Sequence, residues 1–222
     1  SAVSTNSILW VRKETNIRTL ADLRKTKKEI VIGGLNSRSQ NVVVPRVLAK
    51  YQGFPFRTVH GYPGFHAVLV ALERGEVDGL FSHEGSIQGT RPDLIASGKV
   101  VAIFQTFPIE PNVPLMDSFV KDARERELLR LLNAPSRIGL PTLGPPNMNR
   151  EATDILRASF QKMAADKEFR ATAEKRGMTV SHPVPGAELQ DFIAQNLSAV
   201  APEVVQEYLG YTQSKKKKKK SE

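Results

Sequence analysis

Residues 33–41 form the densest group of side chains and backbone donors that could bind a ligand. The segment reads Gly-Gly-Leu-Asn-Ser-Arg-Ser-Gln-Asn and lies between a predicted strand, 29–33, and a predicted helix that begins at Gln40. The first N–H groups of a helix lack intrahelical partners, and the macrodipole adds about half a positive charge there, so this position attracts a carboxylate. The side chains of this segment carry hydroxyl, amide and guanidinium groups that donate hydrogen bonds to anions. We therefore predict as anion ligands Asn36, Ser37, Arg38, Ser39, Gln40 and Asn41.

A structural interpretation of the same segment stays open. Ser39 stands where a helix N-cap is expected, and Arg38 is equally compatible with a solvated loop position. The segment therefore predicts either an anion site or an ordinary strand-to-helix connection.

Two further segments are expected at the same edge of the fold. The turn 61–64 precedes another predicted helix, and Tyr62 offers a hydroxyl and an apolar wall beside Gly64. Ser82 and His83 end a predicted strand, and ligands of open α/β sheets bind outside the carboxyl ends of strands. We predict these four residues as additional ligand contacts, although 61–64 is also compatible with a plain turn.

Catalysis has weaker support in the sequence. Serine, histidine and glutamate residues occur near the predicted edge, but there is no Gly-x-Ser-x-Gly, His-Glu-x-x-His or Gly-x-x-x-x-Gly-Lys pattern. The four histidines are scattered, and the chain has no cysteine. We therefore predict a binding protein with no catalytic residues, no metal and no cofactor.

Net charge gives little support for a nucleic-acid partner. The formal charge is +9, but six positive charges belong to the lysine run 215–220, which has no interleaved aromatic residues for stacking on bases. The remainder is mildly basic, and we predict no specific nucleic-acid binding. The segment 214–222 is expected to be disordered.

The predicted elements that carry these residues alternate between strands and helices, which is typical of an α/β fold. Strands are predicted at 7–12, 29–33, 56–60, 78–82, 100–104, 136–140 and 180–184. Helices are predicted at 19–25, 40–51, 65–74, 87–96, 122–133 and 187–209, the last with a bend at Pro202. In addition, a long helix is predicted to begin at Asn149, and a second, short helix is predicted to end near Gly177.

Several short motifs occur in an order that resembles a known family. They are Gly61-Tyr-Pro-Gly64, Gly75-Glu-Val-Asp78, Pro111-Asn-Val-Pro114, Gly144-Pro-Pro146 and the segments 164–169 and 173–177. In this order and spacing, the chain resembles the substrate-binding proteins of tripartite tricarboxylate transporters, also called Bug receptors. Asn36, Arg38 and Gln40 replace mostly small residues of that family, and Ser82 stands where many members have an acidic residue.

The resemblance implies an α/β, periplasmic-binding-protein-like (type II) lobe with a mixed sheet flanked by helices, plus the helical C-terminal part of a second, incomplete lobe. The nearly complete lobe would span 6–137 and the returning part of the other lobe 138–213. The resemblance further implies capture of a small organic anion, a carboxylate, and membrane transporter subunits as partners in the periplasm. A signal peptide is not evident at the start of the chain.

The family's N-terminal strand and most of its first lobe have no counterpart here. We therefore expect the apolar faces of 150–163 and 189–197 to be covered by another polypeptide, by a second copy, or by docking of the C-terminal helices onto the 6–137 lobe. An alternative function follows, in which the fold serves as a non-catalytic structural or interaction subunit of a larger assembly.

Overall fold

The computed structural model describes residues 6–175, 180, 183–198 and 200–213. The strands are β1 Ser7–Arg12, β2 Ile30–Gly34, β3 Phe56–His60, β4 Gly79–His83 and β5 Val100–Gln105. The helices are α1 Leu20–Lys25, α2 Gln40–Gln52, α3 Phe65–Arg74, α4 Glu84–Thr90, α5 Pro92–Ala96, α6 Ala123–Ile138, α7 Arg150–Ala165, α8 Lys167–Lys175, α9 Gly186–Asn196 and α10 Pro202–Thr212.

The strands form one mixed sheet in the order β3-β2-β4-β1-β5. β2 runs parallel to β3 and β4, whereas β1 runs antiparallel to both β4 and β5. As a result, the carboxyl ends of β2, β3, β4 and β5 and the start of β1 lie at the same edge, which we call the rim. The prediction of an α/β fold with a mixed sheet flanked by helices is confirmed.

Side chains alternate between the two faces of the sheet and build two apolar clusters. Leu9 and Val11 of β1 pack with residues of α2 and α6, on what we call the α2 face. Ile8 and Trp10 of the same strand pack with residues of α3, α4 and α5, on the α3 face. The helices after β2 and after β3 therefore cover opposite faces, and the rim between them is a topological switch point.

Local signals set the ends of the first helices as predicted. Thr19 caps α1 through a capping box in which its hydroxyl accepts from the N–H of Asp22 and the Asp22 carboxylate accepts from the backbone of Thr19. α2 ends at Gly53 and α3 at Gly75, whose φ angles of 68° and 79° are left-handed.

Prediction of a strand at 136–140 is wrong, because α6 continues through Pro135 to Ile138. Asn133 and Ser136, one turn apart, are buried against α2, so packing outweighs the hydrogen bond that Pro135 removes from the helix.

Two predicted helices are each divided by a proline. The predicted helix 187–209 consists of α9 and α10, and Pro202 occupies the first turn of α10, where its missing N–H has no helical partner to lose. Likewise, 87–96 contains the end of α4 and all of α5, which begins at Pro92. The strand predicted at 180–184 is not found at residues 180, 183 and 184. The rest of that strand, the predicted helix end at Gly177 and the segment 214–222 lie outside the described residues.

The C-terminal helices differ in how they attach to the sheet. α10 packs on the α2 face through buried Val204, and the Glu207 carboxylate accepts from Lys50 Nζ at 2.7 Å, from Tyr51 Oη at 2.9 Å and from Arg124 Nε at 3.0 Å. On α7, by contrast, Ile155 and Leu156 are 58% and 56% exposed. Docking of the C-terminal helices is thus realised for α10, whereas on α7 Ile155 and Leu156 are uncovered within the described part of the chain and Phe160 and Met163 are half-buried.

Within the described part of the chain, no helix combines the length and apolar character needed to cross a bilayer.

Candidate functional site

The loop between β2 and α2 places most of the predicted ligand residues at the rim. Ser39 occupies the N-cap position of α2 without capping it through its side chain. Its hydroxyl instead donates within the loop, where its single proton has two acceptors, the carbonyl oxygen of Asn36 at 2.7 Å and Asn41 Oδ1. The loop therefore stabilises itself internally, and the first N–H groups of α2 are not capped by the Ser39 hydroxyl.

The tip of this loop is exposed. Asn36, Ser37 and Arg38 all face solvent, and the backbone N–H of Arg38 donates to Asn36 Oδ1 at 3.0 Å. Arg46 of α2 anchors the tip from below, because its guanidinium donates to the Ser37 carbonyl at 3.2 Å and to Thr58 Oγ1 at 2.9 Å. An exposed guanidinium on an anchored loop can reach an anion at the rim.

Gln40 has a different role from its neighbours. Its Nε2 donates to Asn133 Oδ1 at 2.6 Å and to Ser136 Oγ at 3.1 Å, and both of these partners are buried on α6. The side chain that we predicted as a ligand contact therefore ties the start of α2 to the end of α6, and it fixes the direction in which the helix N-terminus points.

The turn after β3 lies beside the α2 loop. The N–H of Gly61 donates to the Leu35 carbonyl at 2.8 Å, with Gly61 at a φ of 110° that favours glycine. Gly64 is the N-cap residue of α3. Tyr62 is half-buried against the α3-face cluster, where burial and the negative charge of Glu76 raise the pKa of its hydroxyl. Tyr62 thus packs on the α3 face of the sheet more than at the rim.

Ser82 and His83 end β4 at the rim, on opposite faces. Ser82 is buried, and its hydroxyl donates to the His83 carbonyl at 3.4 Å. His83 lies opposite Ser7 in the β1–β4 register, and its Nδ1 is 3.1 Å from Ser7 Oγ. Burial lowers the pKa of the imidazole. By alternation along β4, His83 shares the α2 face with the start of α2, whereas Ser82 lies on the α3 face.

A buried amide network at the rim was not predicted. Asn6 Nδ2 donates to Gln105 Oε1 at 2.9 Å, and Asn6 Oδ1 accepts from the Thr106 hydroxyl at 3.2 Å and from the Phe107 N–H at 3.0 Å. Gln105 Nε2 donates to the carbonyls of Glu110 and Val113, both at 2.8 Å. The available signal was the polar residue flanking each apolar strand, next to a proline-rich segment whose carbonyls need outside donors.

The rim carries several kinds of hydrogen-bonding group. It offers helix N–H groups, hydroxyls, amides, an imidazole and an exposed guanidinium. Glu84 follows His83 directly in the chain, and its carboxylate accepts from Gln88 Nε2 at 3.0 Å along α4. In the described ranges, no group of three or more His, Cys, Asp or Glu side chains is arranged to hold a metal ion.

A separate cleft of about 360 Å³ opens at the edge of the sheet opposite the rim. It contains none of the predicted site residues, and its walls carry both signs of charge. The lining residues are Arg12, Glu14, Leu72, Glu73, Leu94, Lys99 and Val100.

Comparison with known proteins supports the fold through structure and not through sequence. No protein-family model and no curated protein matches the chain. A solved TctC solute-binding protein from Polaromonas aligns with a TM-score of 0.63 at 13% identity, over 94% of this chain and 66% of that one. The periplasmic binding protein BugD aligns at 0.55 and 17% identity, over 94% of this chain and 67% of that one.

A third solved structure, an R. palustris protein with adipate, aligns with a TM-score of 0.55 at 13% identity, covering 95% of this chain and 66% of that protein. The chain thus spans about two thirds of the length of the solved structures it matches. At these identities the likeness shows the fold alone, which is periplasmic-binding-protein-like (type II).

Proposed function

We propose that this protein is a periplasmic solute-binding protein that captures a small organic anion, a carboxylate, for a tripartite tricarboxylate-type membrane transporter. The observation that carries the proposal is the position of these groups in the fold: the start of α2 and the exposed Arg38 follow β2, and His83 ends the neighbouring strand β4, at the switch point of the sheet. In open α/β sheets this is where ligands bind.

The groups at this place are suited to a carboxylate. Backbone N–H groups at the start of α2 and the guanidinium of Arg38 donate charge-assisted hydrogen bonds, which are stronger than neutral ones. The loop is anchored by Arg46 and by Gln40, so its donors are held in place before a ligand arrives. Asn36, Ser37, Ser39 and Asn41 carry the other polar groups of this loop, while Tyr62, Gly64 and Ser82 stay predicted contacts at the neighbouring turn and strand end.

The wider assignment follows from the same proposal. We assign residues 6–137 to one lobe and 138–213 to the returning part of the other, with membrane transporter subunits as partners and with no chemical step catalysed. Three structural neighbours support it, since one was solved with adipate and the other two are described as a TctC solute-binding protein and a periplasmic binding protein.

A ligand screen tests the proposal. Thermal melting and calorimetry with adipate, succinate and citrate should find an acid that stabilises the protein, by about 2.7 kcal/mol at 100 times its Kd. Replacing both Arg38 and Ser39 by alanine should weaken binding by about 1–3 kcal/mol.

The matched control for this screen is Arg150→Ala, which removes a 97% exposed guanidinium side chain on α7 and should leave the affinity unchanged. Absence of any stabilisation across the three acids would contradict the proposal. Unchanged affinity in the Arg38/Ser39 double variant would remove the α2 loop from the site.

The exposed apolar residues favour a second candidate, an interaction subunit of a larger assembly. Leu140 and Leu143 in the segment after α6 are exposed, as are Ile155 and Leu156 on α7. Contiguous exposed apolar surface marks interaction sites. Light scattering after size exclusion should then show self-association that the double change Ile155→Asp and Leu156→Asp abolishes, and a monomer that binds a carboxylate would exclude this candidate.

A further inference from the structure

His83 and Ser7 form a pair whose geometry is determined from both strands. The two residues face each other in the β1–β4 register, and Ser7 is almost completely buried. The backbone of Ser7 is held on its other side by Thr106, whose Oγ1 accepts from the Ser7 N–H at 3.0 Å and whose N–H donates to the Ser7 carbonyl at 2.9 Å. The Ser7 hydroxyl is therefore a fixed partner for His83 Nδ1.

This arrangement occupies one ring nitrogen of His83. With Nδ1 paired to Ser7, Nε2 is the nitrogen left to contact a ligand, and the ring lies on the same face of the sheet as the start of α2. The start of α2 and the imidazole of His83, two of the groups that we propose bind the anion, thus lie on the same face of the sheet at the rim.

Charged groups on the surrounding elements have hydrogen-bond partners or are at least partly exposed. Glu84 accepts from Gln88 on α4, and Arg137 at the end of α6 contacts the Phe107 ring and pairs with Glu188. Arg38 of the α2 loop and His60 of β3 are exposed, and Glu110 beyond β5 is half-buried. Burial, which disfavours the charged imidazole, is the cause of the lowered pKa of His83.

We propose that capture of a carboxylate at the rim takes up a proton on His83, so that the carboxylate of the ligand becomes the counter-ion of the imidazolium. This rests on the proposed function and adds a regulation of the same site: affinity for carboxylates rises as pH falls. An opposite charge within about 4–6 Å raises the pKa of an imidazole by about 1–3 units, and each such unit adds at most about tenfold to the affinity, reached only when the pH is below both pKa values. Affinity should therefore rise several-fold between pH 8 and pH 5.5.

Calorimetry on the wild-type chain tests the proposal without a variant. Adipate, succinate and citrate are titrated at pH 6.5 in two buffers of different ionisation enthalpy, which gives the number of protons taken up on binding. Uptake of a substantial fraction of one proton is expected. Binding without proton uptake, at an affinity that is equal at pH 5.5 and pH 8, would overturn the inference and leave the proposed function intact.

Variants assign the proton to a residue. His83→Gln keeps a neutral hydrogen-bonding side chain and should abolish proton uptake, while His66→Gln, which changes an exposed histidine on α3, should retain it. Proton uptake that persists in His83→Gln would overturn the assignment to His83. If none of the three acids binds the wild type at any pH, the proposed function and this inference both fail.

Discussion

The sheet with its covering helices and the C-terminal helices α7 to α9 use apolar residues in opposite ways. In the sheet, β1, β2, β4 and β5 are mostly covered on both faces, and side chains such as Phe104 and Phe81 are completely or almost completely buried. On α7, Ile155 and Leu156 face solvent, and Ala164 is the buried residue of the helix. A site built on the first region is therefore supported by its own core, whereas the second region contributes little stability within the described part of the chain.

α10 connects the two regions. It follows the C-terminal helices in sequence, yet it packs on α2 and α6 through Val204 and Glu207. The candidate anion loop begins α2, and Glu207 binds the other end of that helix through Lys50 and Tyr51. The attachment of α10 thus supports the helix that presents the site.

The largest expected effect comes from truncating the buried core. Phe104→Ala removes a fully buried ring that contacts Phe81 and Phe119, and it should lower the free energy of unfolding by about 3–5 kcal/mol. Phe169→Ala on α8 removes a ring of the same size that is partly exposed, and it should change the free energy by about 1 kcal/mol or less. Urea unfolding measures both, and equal losses would contradict the comparison.

How far the sequence predicts this fold depends on whether the signals are local. Thr19, Gly53 and Gly75 define helix ends through their own backbone geometry, so those ends could be predicted. The passage of α6 through Pro135 depends on packing against α2, which no local pattern contains.

The candidate site follows the same division. Its loop and strand ends could be placed from the alternation of strands and helices, because the carboxyl ends of parallel strands share an edge. The Asn6–Gln105 bond joins residues 99 positions apart, and the Ser7–His83 pair joins residues 76 apart. Such pairs depend on the strand order, and the role of Gln40 as an anchor depends on α6, so neither was accessible from the sequence.

A smaller effect is expected at the connection between the two regions. Glu207→Gln keeps the shape of the side chain but removes the charge that Lys50, Tyr51 and Arg124 bind. We expect a loss of about 1–3 kcal/mol, limited by the exposure of the two cations. Hydrogen exchange should show faster opening of α10, and Gln206→Ala, at an exposed position of the same helix, should not change it.

The pH dependence of this connection has a definite sign. Burial opposes ionisation of Glu207, but the hydrogen bonds from Lys50, Tyr51 and Arg124 outweigh it and lower the pKa. A carboxyl whose folded pKa is lowered stabilises the protein above its unfolded pKa and loses that contribution as pH falls through the folded value. The stability difference between wild type and Glu207→Gln should therefore shrink in acid, and a difference that grows there would contradict the assignment.

The smallest effect is expected at a second buried carboxyl, that of Glu125 on α6. This helix covers the sheet, so Glu125 can be compared with Glu207, which connects the two regions. Its side chain is fully buried, with Oε2 accepting from Gln52 Nε2 at 2.6 Å and Oε1 without a hydrogen-bond partner. Burial, together with the charge of Asp122, raises the pKa of Glu125, and the bond from Gln52 only partly compensates. Unlike Glu207, this carboxyl is more stable in the protein when it is neutral.

The sign is therefore opposite to that of Glu207. A carboxyl whose folded pKa is raised binds a proton more tightly in the native state, so its contribution becomes unfavourable as pH rises from the unfolded pKa through the folded one. Glu125→Gln, which is neutral at every pH, should equal the wild type near pH 4.5 and exceed it by about 1 kcal/mol at pH 8, within the range for an unsatisfied buried polar group. Urea unfolding at both values measures the difference, with Glu168→Gln on α8 as the exposed control. A variant less stable than wild type at pH 8 would mean that the charged carboxylate of Glu125 stabilises the contact between α2 and α6.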